Sequence, residues 1–374
     1  METSLALQIP PAHFGRGSLK ELPAEIKSLG LSRPLLVTDK GLIDCGVFAM
    51  ITAVLGDTSS YDVFDAVPEN PTFDGVDRAA EVYRNQRCDA VIAIGGGSVI
   101  DTAKMVAVLA GHPGNASDYV GYSERVTAAT APLIVLPTTA GTGSEASPDA
   151  GIHPDSQSVS SGITSRHVIP KVAICDPTTT VTLPQRLTAA TGLDALSHCI
   201  EGFLSKSFCP PVDAMALDGI RRVFHYLPSA VEDGSNLDTR TQMMVAAFEG
   251  GVAIGKGLGP AHAIAICCGD QGLHHGMLSA IGILASLPIM EKQAPDRMRP
   301  IVNAMGLRPS QSAADGVRAL MNRVGLPTTL SGIGFKVGNL ASLGRDAAKS
   351  HFNLTSPYAP TEQEFVQMIG SVMD

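Results

Sequence analysis

In GLDALSHCIEG, residues 192–202, Asp194 and His198 stand four residues apart in an otherwise apolar stretch. A helix brings residues i and i+4 onto one face, so the two side chains would point the same way. A buried hydrogen bond within the helix also accounts for an isolated pair of this kind. Further along, GLGPAHAIAICCGDQGLHHG (257–276) carries His262 just behind Pro260, a residue suited to the first turn of a helix. A glycine-rich loop then delivers His274 and His275. One carboxylate and three imidazoles are oxygen and nitrogen ligands of the kind that bind Fe²⁺, Zn²⁺ or a similar divalent ion and leave coordination positions open. Asp194, His198, His262 and His275 are therefore the candidate metal set. Beyond these and His274, the other histidines (His13, His112, His153, His167, His225, His351) read as surface or core residues.

The first half offers different chemistry. In AVIAIGGGSVIDTAK an apolar run ends in Gly95, Gly96 and Gly97, and a helical pattern starts near Ser98. Glycine lets backbone N–H groups approach a pyrophosphate closely, and the N-terminus of the following helix adds free donors and partial positive charge. A tight strand-to-helix connection has the same appearance. PTTAGTGSEAS (137–147) follows another apolar run and sets the hydroxyls of Thr138, Thr139, Thr142 and Ser144 around two glycines. Asp39 closes PLLVTD, where an acidic residue can accept hydrogen bonds from an adenosine ribose and repel a 2′-phosphate. A plain strand-end turn is the alternative there.

The elements that must hold these groups follow from hydrophobic rhythm. Runs at 34–39, 90–97, 132–139 and 171–177 alternate with longer helical patterns, as in a parallel sheet built from βαβ units. After about residue 184 such runs stop, and stretches such as 212–228 and 240–255 space Ala, Met, Leu and Val as helices do. The expected organisation is an α/β domain over 1–184 and an all-α domain over 185–374, with the boundary at Leu183 and Pro184.

Composition narrows the function. The chain has 374 residues, 44% hydrophobic and 17% charged, with a formal net charge of −9 and no basic run, which argues against a nucleic-acid partner. Mean hydropathy is only +0.17, and no apolar run reaches the roughly 20 residues that a membrane span needs. Seven cysteines, an odd number without a CxxC, suit a reducing cytoplasm, and the N-terminus lacks the pattern of an export signal.

GGGSVIDTAK, PTTAGTGSE, LPQRLTAATGLDALSHCIEGFLS and GLGPAHA followed by HHG occur in an order that resembles the iron-containing, or group III, alcohol dehydrogenases. The resemblance covers essentially the whole chain. Glycerol dehydrogenases and dehydroquinate synthases share the two-domain plan and the glycine turn but not PTTAGTGSE or the DALSH helix. They leave a polyol oxidoreductase, or a non-redox metal enzyme, as the alternative functions. The resemblance implies a dinucleotide-binding α/β domain, a helical metal-binding domain, a cleft between them, and assembly as a homodimer or larger. It gives the ligand roles to Asp194, His198, His262 and His275. Asp39, Asn70, Gly95, Gly96, Gly97, Ser98, Thr138, Thr139 and Thr142 fall where the family contacts NAD. The implied reaction moves a hydride between NAD(H) and a small alcohol or aldehyde, with a substrate bearing an anionic tail, such as a 4-hydroxybutyrate-like compound, as the expected variant.

Three departures from the family pattern bear on mechanism. Where many relatives have a further histidine four residues after the first C-terminal ligand, this chain has Ile266, which makes His274 the nearest candidate for moving a proton. A relay through water and ribose is the alternative. The spacing from His262 to His275 is one residue short, so His274 is also an alternative ligand, with His275 preferred because it directly precedes a glycine. A lysine common near the position of Ser160 is missing, while Lys256 stands where a small residue is usual. Lys256 is expected to face the cleft and greet an anionic substrate group, as a catalytic-site residue, with solvation or a contact to the cofactor phosphates as the alternatives.

Overall fold

The computed structural model describes residues 6–56, 60–155, 158–336 and 338–374. They form two compact units. One comprises Gln8–Thr139 and Ser144–Leu183, and the other contains Pro184–Asp374 together with the short segment Ala140–Gly143.

The first unit is built on a six-stranded parallel sheet. Its strands are β1 (Ala12–Phe14), β2 (Pro34–Val37), β3 (Asp62–Phe64), β4 (Ala90–Gly95), β5 (Leu133–Pro137) and β8 (Val172–Cys175), in the order β1-β8-β5-β4-β2-β3. β6 (Asp149–Ile152) and β7 (Ser161–Thr164) make a separate antiparallel pair. The apolar runs at 34–39, 90–97, 132–139 and 171–177 correspond to β2, β4, β5 and β8, whose residues are all buried. Strands covered on both faces need no polar alternation, which is why they read as continuous apolar runs. Leu36, Ile92, Ile94, Ile134, Leu136, Val172 and Ile174 pack on one face with Leu22, Val47 and Ile51 of neighbouring helices. β1 and β3 have three residues each and carry too little pattern to be read.

Strand order fixes where a ligand can bind. From β2 the chain moves outward to β3, and from β4 it moves the opposite way to β5, so the direction reverses between β2 and β4. Open α/β sheets bind ligands beyond the carboxyl ends of the strands at this reversal. Asp39 follows β2 there, and Gly95–Gly97 follow β4.

The second unit is helical, as the pattern after residue 184 predicts, with helices at Gln185–Leu204, Pro210–Glu232, Leu237–Ile254, Pro260–Cys267 and His275–Gln293, and shorter ones beyond. Helix Gln185–Leu204 is buried at every position from Thr188 to Leu204. A helix enclosed on all sides buries whatever polar residues it carries, and Asp194, His198 and Glu201 lie inside this span. Among the described residues no helix is long and apolar enough to cross a membrane.

Candidate functional site

The helical unit brings Asp194, His198, His262 and His275 together. One ligand atom from each lies within 4.8 Å of all the others. Asp194 and His198 come from successive turns of helix Gln185–Leu204, as their spacing predicts, with His198 Nε2 3.8 Å from Asp194 Oδ1. His262 belongs to helix Pro260–Cys267, which starts at Pro260. Its ring stacks on His198 with centroids 4.8 Å apart. His275 is the first residue of helix His275–Gln293, and its Nε2 reaches to 3.9 Å from Asp194 Oδ1. Gly276 permits this approach, because a Cβ there would lie 2.6 Å from the Ala190 carbonyl oxygen and 3.2 Å from Asp194 Cβ. His274 caps the same helix, its Nδ1 accepting from the Gly276 N–H at 3.2 Å. The residue beside the glycine therefore joins the cluster and its neighbour does not.

The electrostatics of the cluster are those of a site made for a cation. Asp194, His198 and His262 are buried, whereas the His275 side chain is 44% exposed. Burial holds the His198 imidazole down to about 4, outweighing the pull of Asp194, so the ring is neutral and able to donate a lone pair. Burial pushes the Asp194 carboxyl up, but the three histidines overcome it and the group ends below the usual carboxylate range. Asp194 Oδ1 and His262 Nε2 are buried without a hydrogen-bond partner. Buried polar atoms are rarely left unpaired, and an anionic oxygen and an imidazole nitrogen both accept a divalent ion. The residues present thus fit a metal.

Two residues near the cluster escaped the sequence reading. Glu201 Oε2 sits 2.6 Å from His262 Nδ1, and the carboxylate is buried. Its position, seven after Asp194 and three after His198, was a readable signal. Phe352 lies edge-on to the His262 ring at 5.9 Å between centroids, and nothing in the local sequence announces it.

The α/β unit assembles the glycine turn. Gly96 caps helix Gly97–Gly111, whose first-turn N–H groups have no acceptor within the helix. The Thr138 N–H donates to the Gly95 carbonyl at 3.1 Å, which sets the loop after β5 directly beside the turn. A Cβ on Gly96 would come within 3.1 Å of the Thr139 methyl. The Ser98 hydroxyl donates to the Glu69 carbonyl and so fixes the segment carrying Asn70 against the same helix. Asp39 caps the following helix, its Oδ1 accepting from the Leu42 N–H at 3.0 Å. Backbone donors, hydroxyls and a carboxylate at the strand ends fit a dinucleotide.

Two expectations need correction. Thr142 does not belong to the α/β unit, because Ala140–Gly143 pack as part of the helical unit. A Cβ on Gly143 would sit 2.3 Å from the Ala247 carbonyl, so this backbone lies against helix Leu237–Ile254. Lys256 is neither solvated nor available to an anionic ligand. Its side chain is fully buried and its ammonium is held by Asp213, with Arg297 Nη2 4.0 Å from the same carboxylate oxygen. A buried ammonium requires a partner, and a residue 43 positions away supplies it.

A family model described as iron-containing alcohol dehydrogenase matches residues 10–177, and one described as Fe-containing alcohol dehydrogenase family, C-terminal, matches 188–373. A 4-hydroxybutyrate dehydrogenase of Cupriavidus necator is 39% identical, covering 96% of this chain and 97% of its own. Among solved structures, a 1,3-propanediol oxidoreductase superposes with a TM-score of 0.93 at 29% identity, covering 99% of this chain and 100% of its own. A sulfoacetaldehyde reductase from Bifidobacterium kashiwanohense in complex with NAD⁺ gives 0.91 at 29% identity, covering 100% of this chain and 99% of its own.

Proposed function

Because the chain belongs to the iron-containing alcohol dehydrogenase family and is an NAD-dependent alcohol dehydrogenase, we propose that Asp194, His198, His262 and His275 hold its divalent ion, Fe²⁺ in preference to Zn²⁺. The substrate we propose is a small alcohol or aldehyde with an anionic tail of the 4-hydroxybutyrate type. The observation that carries the metal assignment is the pair of buried, unpartnered atoms, Asp194 Oδ1 and His262 Nε2, among the four clustered ligand groups. The anionic tail rests on the 39% identity to a 4-hydroxybutyrate dehydrogenase and on the likeness to a sulfoacetaldehyde reductase.

When bound, the ion supplies Lewis acidity to the alcohol or carbonyl oxygen, and NAD(H) supplies the hydride chemistry. The residues of the chain do the rest. Burial of His198 keeps a proton from competing for its ligand position, and the half-exposed His275 marks the side from which substrate enters. His274 accepts at Nδ1 and therefore carries its proton on Nε2 when neutral, the atom through which it exchanges the substrate proton with solvent. Gly95, Gly96, Gly97, Ser98, Thr138 and Thr139 cradle the pyrophosphate, with Asn70 and Thr142 completing the nucleotide contacts. Asp39 accepts from the ribose hydroxyls and disfavours NADP through its charge. Seven cysteines, none in a disulfide, suit work in a reducing cytoplasm.

The test compares NADH formation from 4-hydroxybutyrate and 1-butanol by protein loaded with Fe²⁺, loaded with Zn²⁺, or stripped by chelation. Turnover should require metal, and kcat/KM should favour the hydroxy acid by about tenfold or more, the value of one charge-assisted contact. Undiminished turnover after stripping would sink the metal assignment, and equal kcat/KM for the two substrates would sink the anionic tail.

A further inference from the structure

We propose that Glu201 is a positioning residue of the metal centre: its carboxylate fixes the His262 ring in the tautomer and orientation that present Nε2 to the ion. This rests on the metal assignment above and adds a residue that touches neither ion nor substrate. Glu201 lies two helical turns beyond Asp194 on helix Gln185–Leu204 and is 3% exposed. Its Oε2 is 2.6 Å from His262 Nδ1 and accepts from the His262 N–H at 3.3 Å, while Oε1 accepts from the Ala261 N–H at 2.7 Å. A neutral ring whose Nδ1–H donates to a carboxylate presents a lone pair on Nε2, and Nε2 is the buried atom that lacks a partner. The Ala261 and His262 N–H groups belong to the first turn of helix Pro260–Cys267 and have no acceptor within it. One carboxylate thus sets both the angle of the helix and the rotation of the ring it carries.

The packing leaves Glu201 little freedom. Ile200, Leu204, Ile283 and Leu287 line a small cavity beside it together with Ser286 and Ser356, whose hydroxyls donate to the carbonyls of Ile283 and Tyr358. Gly259 closes another side, where a Cβ would stand 2.9 Å from Oε1. A side chain at residue 259 would push the carboxylate without touching the four ligand groups, which makes this glycine an independent handle on the same contact.

A purely structural cap predicts something different from a positioning carboxylate. Glu201→Gln keeps the shape, but an amide has one oxygen for donors that now divide between two, so either Ala261 or His262 faces an NH₂ group. Metal-free wild type, Glu201→Gln and Gly259→Ala would be titrated with Zn²⁺ and Co²⁺ against a chromophoric chelator. The visible spectrum of the Co²⁺ forms and the Tm of the metal-free proteins would be recorded alongside. The expected result is a Kd raised about 10–100-fold in Glu201→Gln with an altered Co²⁺ spectrum, and a smaller weakening in Gly259→Ala. A lowered Tm with the Kd of Glu201→Gln within about threefold of wild type would overturn the proposal and leave Glu201 a cap. If Glu201→Gln fails to fold, Gly259→Ala decides by the same two readouts. Wild-type protein that binds neither ion would overturn the metal assignment and this proposal together, whereas tight wild-type binding matched by both variants overturns this proposal alone.

Discussion

Each unit buries a polar cluster, and the two clusters solve the cost of burial in opposite ways. In the α/β unit Lys104, fully buried, donates to the carbonyls of Ser147 and Asp149 at 2.9 and 2.5 Å and to the Ser147 hydroxyl at 3.2 Å. Asp101, one turn earlier on the same helix, accepts from the Ser144 hydroxyl and from the Gly151 N–H at 2.9 Å. This cluster carries its own cation, and with it ties the segment Ser144–Asp149 to the glycine-turn helix. The helical unit instead gathers one carboxylate and three imidazoles, and burial opposes protonation of His198. The lysine cluster also leaves one buried oxygen, Asp149 Oδ1, without a hydrogen-bond partner, but it holds a cation of its own among its carboxylates and is structural. The cluster that leaves Asp194 Oδ1 and His262 Nε2 unpaired is built to receive a charge from outside.

That contrast is open to attack at both ends. The largest effect is expected from His198→Ala, which removes a ligand from a cluster that serves the ion and not the fold. Retained metal and turnover should fall together, turnover by about a thousandfold or more, with the metal-free Tm nearly unchanged. Full metal by elemental analysis in this variant would take His198 out of the site. Next comes Lys104→Met, which leaves buried carboxylates without their cation and should cost about 3–5 kcal/mol in denaturant unfolding, while the folded fraction retains metal normally. A loss under about 1 kcal/mol would mean that Lys104 is no keystone and would erase the difference between the clusters.

The smallest effect is a pH dependence. Burial raises the Glu145 carboxyl to about 7, against a partial opposing pull from Lys104. The folded state then holds a proton that the unfolded chain releases between about 4.5 and 7, so this contribution to stability is full below 4.5 and is lost as pH rises through 7. Glu145→Gln should flatten that decline by on the order of 3 kcal/mol, and an identical slope in variant and wild type would show that Glu145 does not titrate there.

What the chain determined locally was legible. The spacing of Asp194 and His198 implies a shared helical face, Pro260 marks the start of the His262 helix, and continuous apolar runs mark the buried strands β2, β4, β5 and β8. Helix period and strand burial act over a few residues, so they leave a pattern in the order of amino acids. Only the tertiary structure decided the partners. Lys256 looked like a greeting for an anion because Asp213 lies 43 residues away. Glu201 could be placed on the ligand face, but not against His262, 61 residues on. Thr142 reads as part of the loop after β5, and yet its four-residue segment packs with helices that begin beyond Pro184. The cost of burying a charge is set by what meets it in space. A contact between distant segments leaves no period in the sequence, and the partner becomes known only when the fold closes the distance.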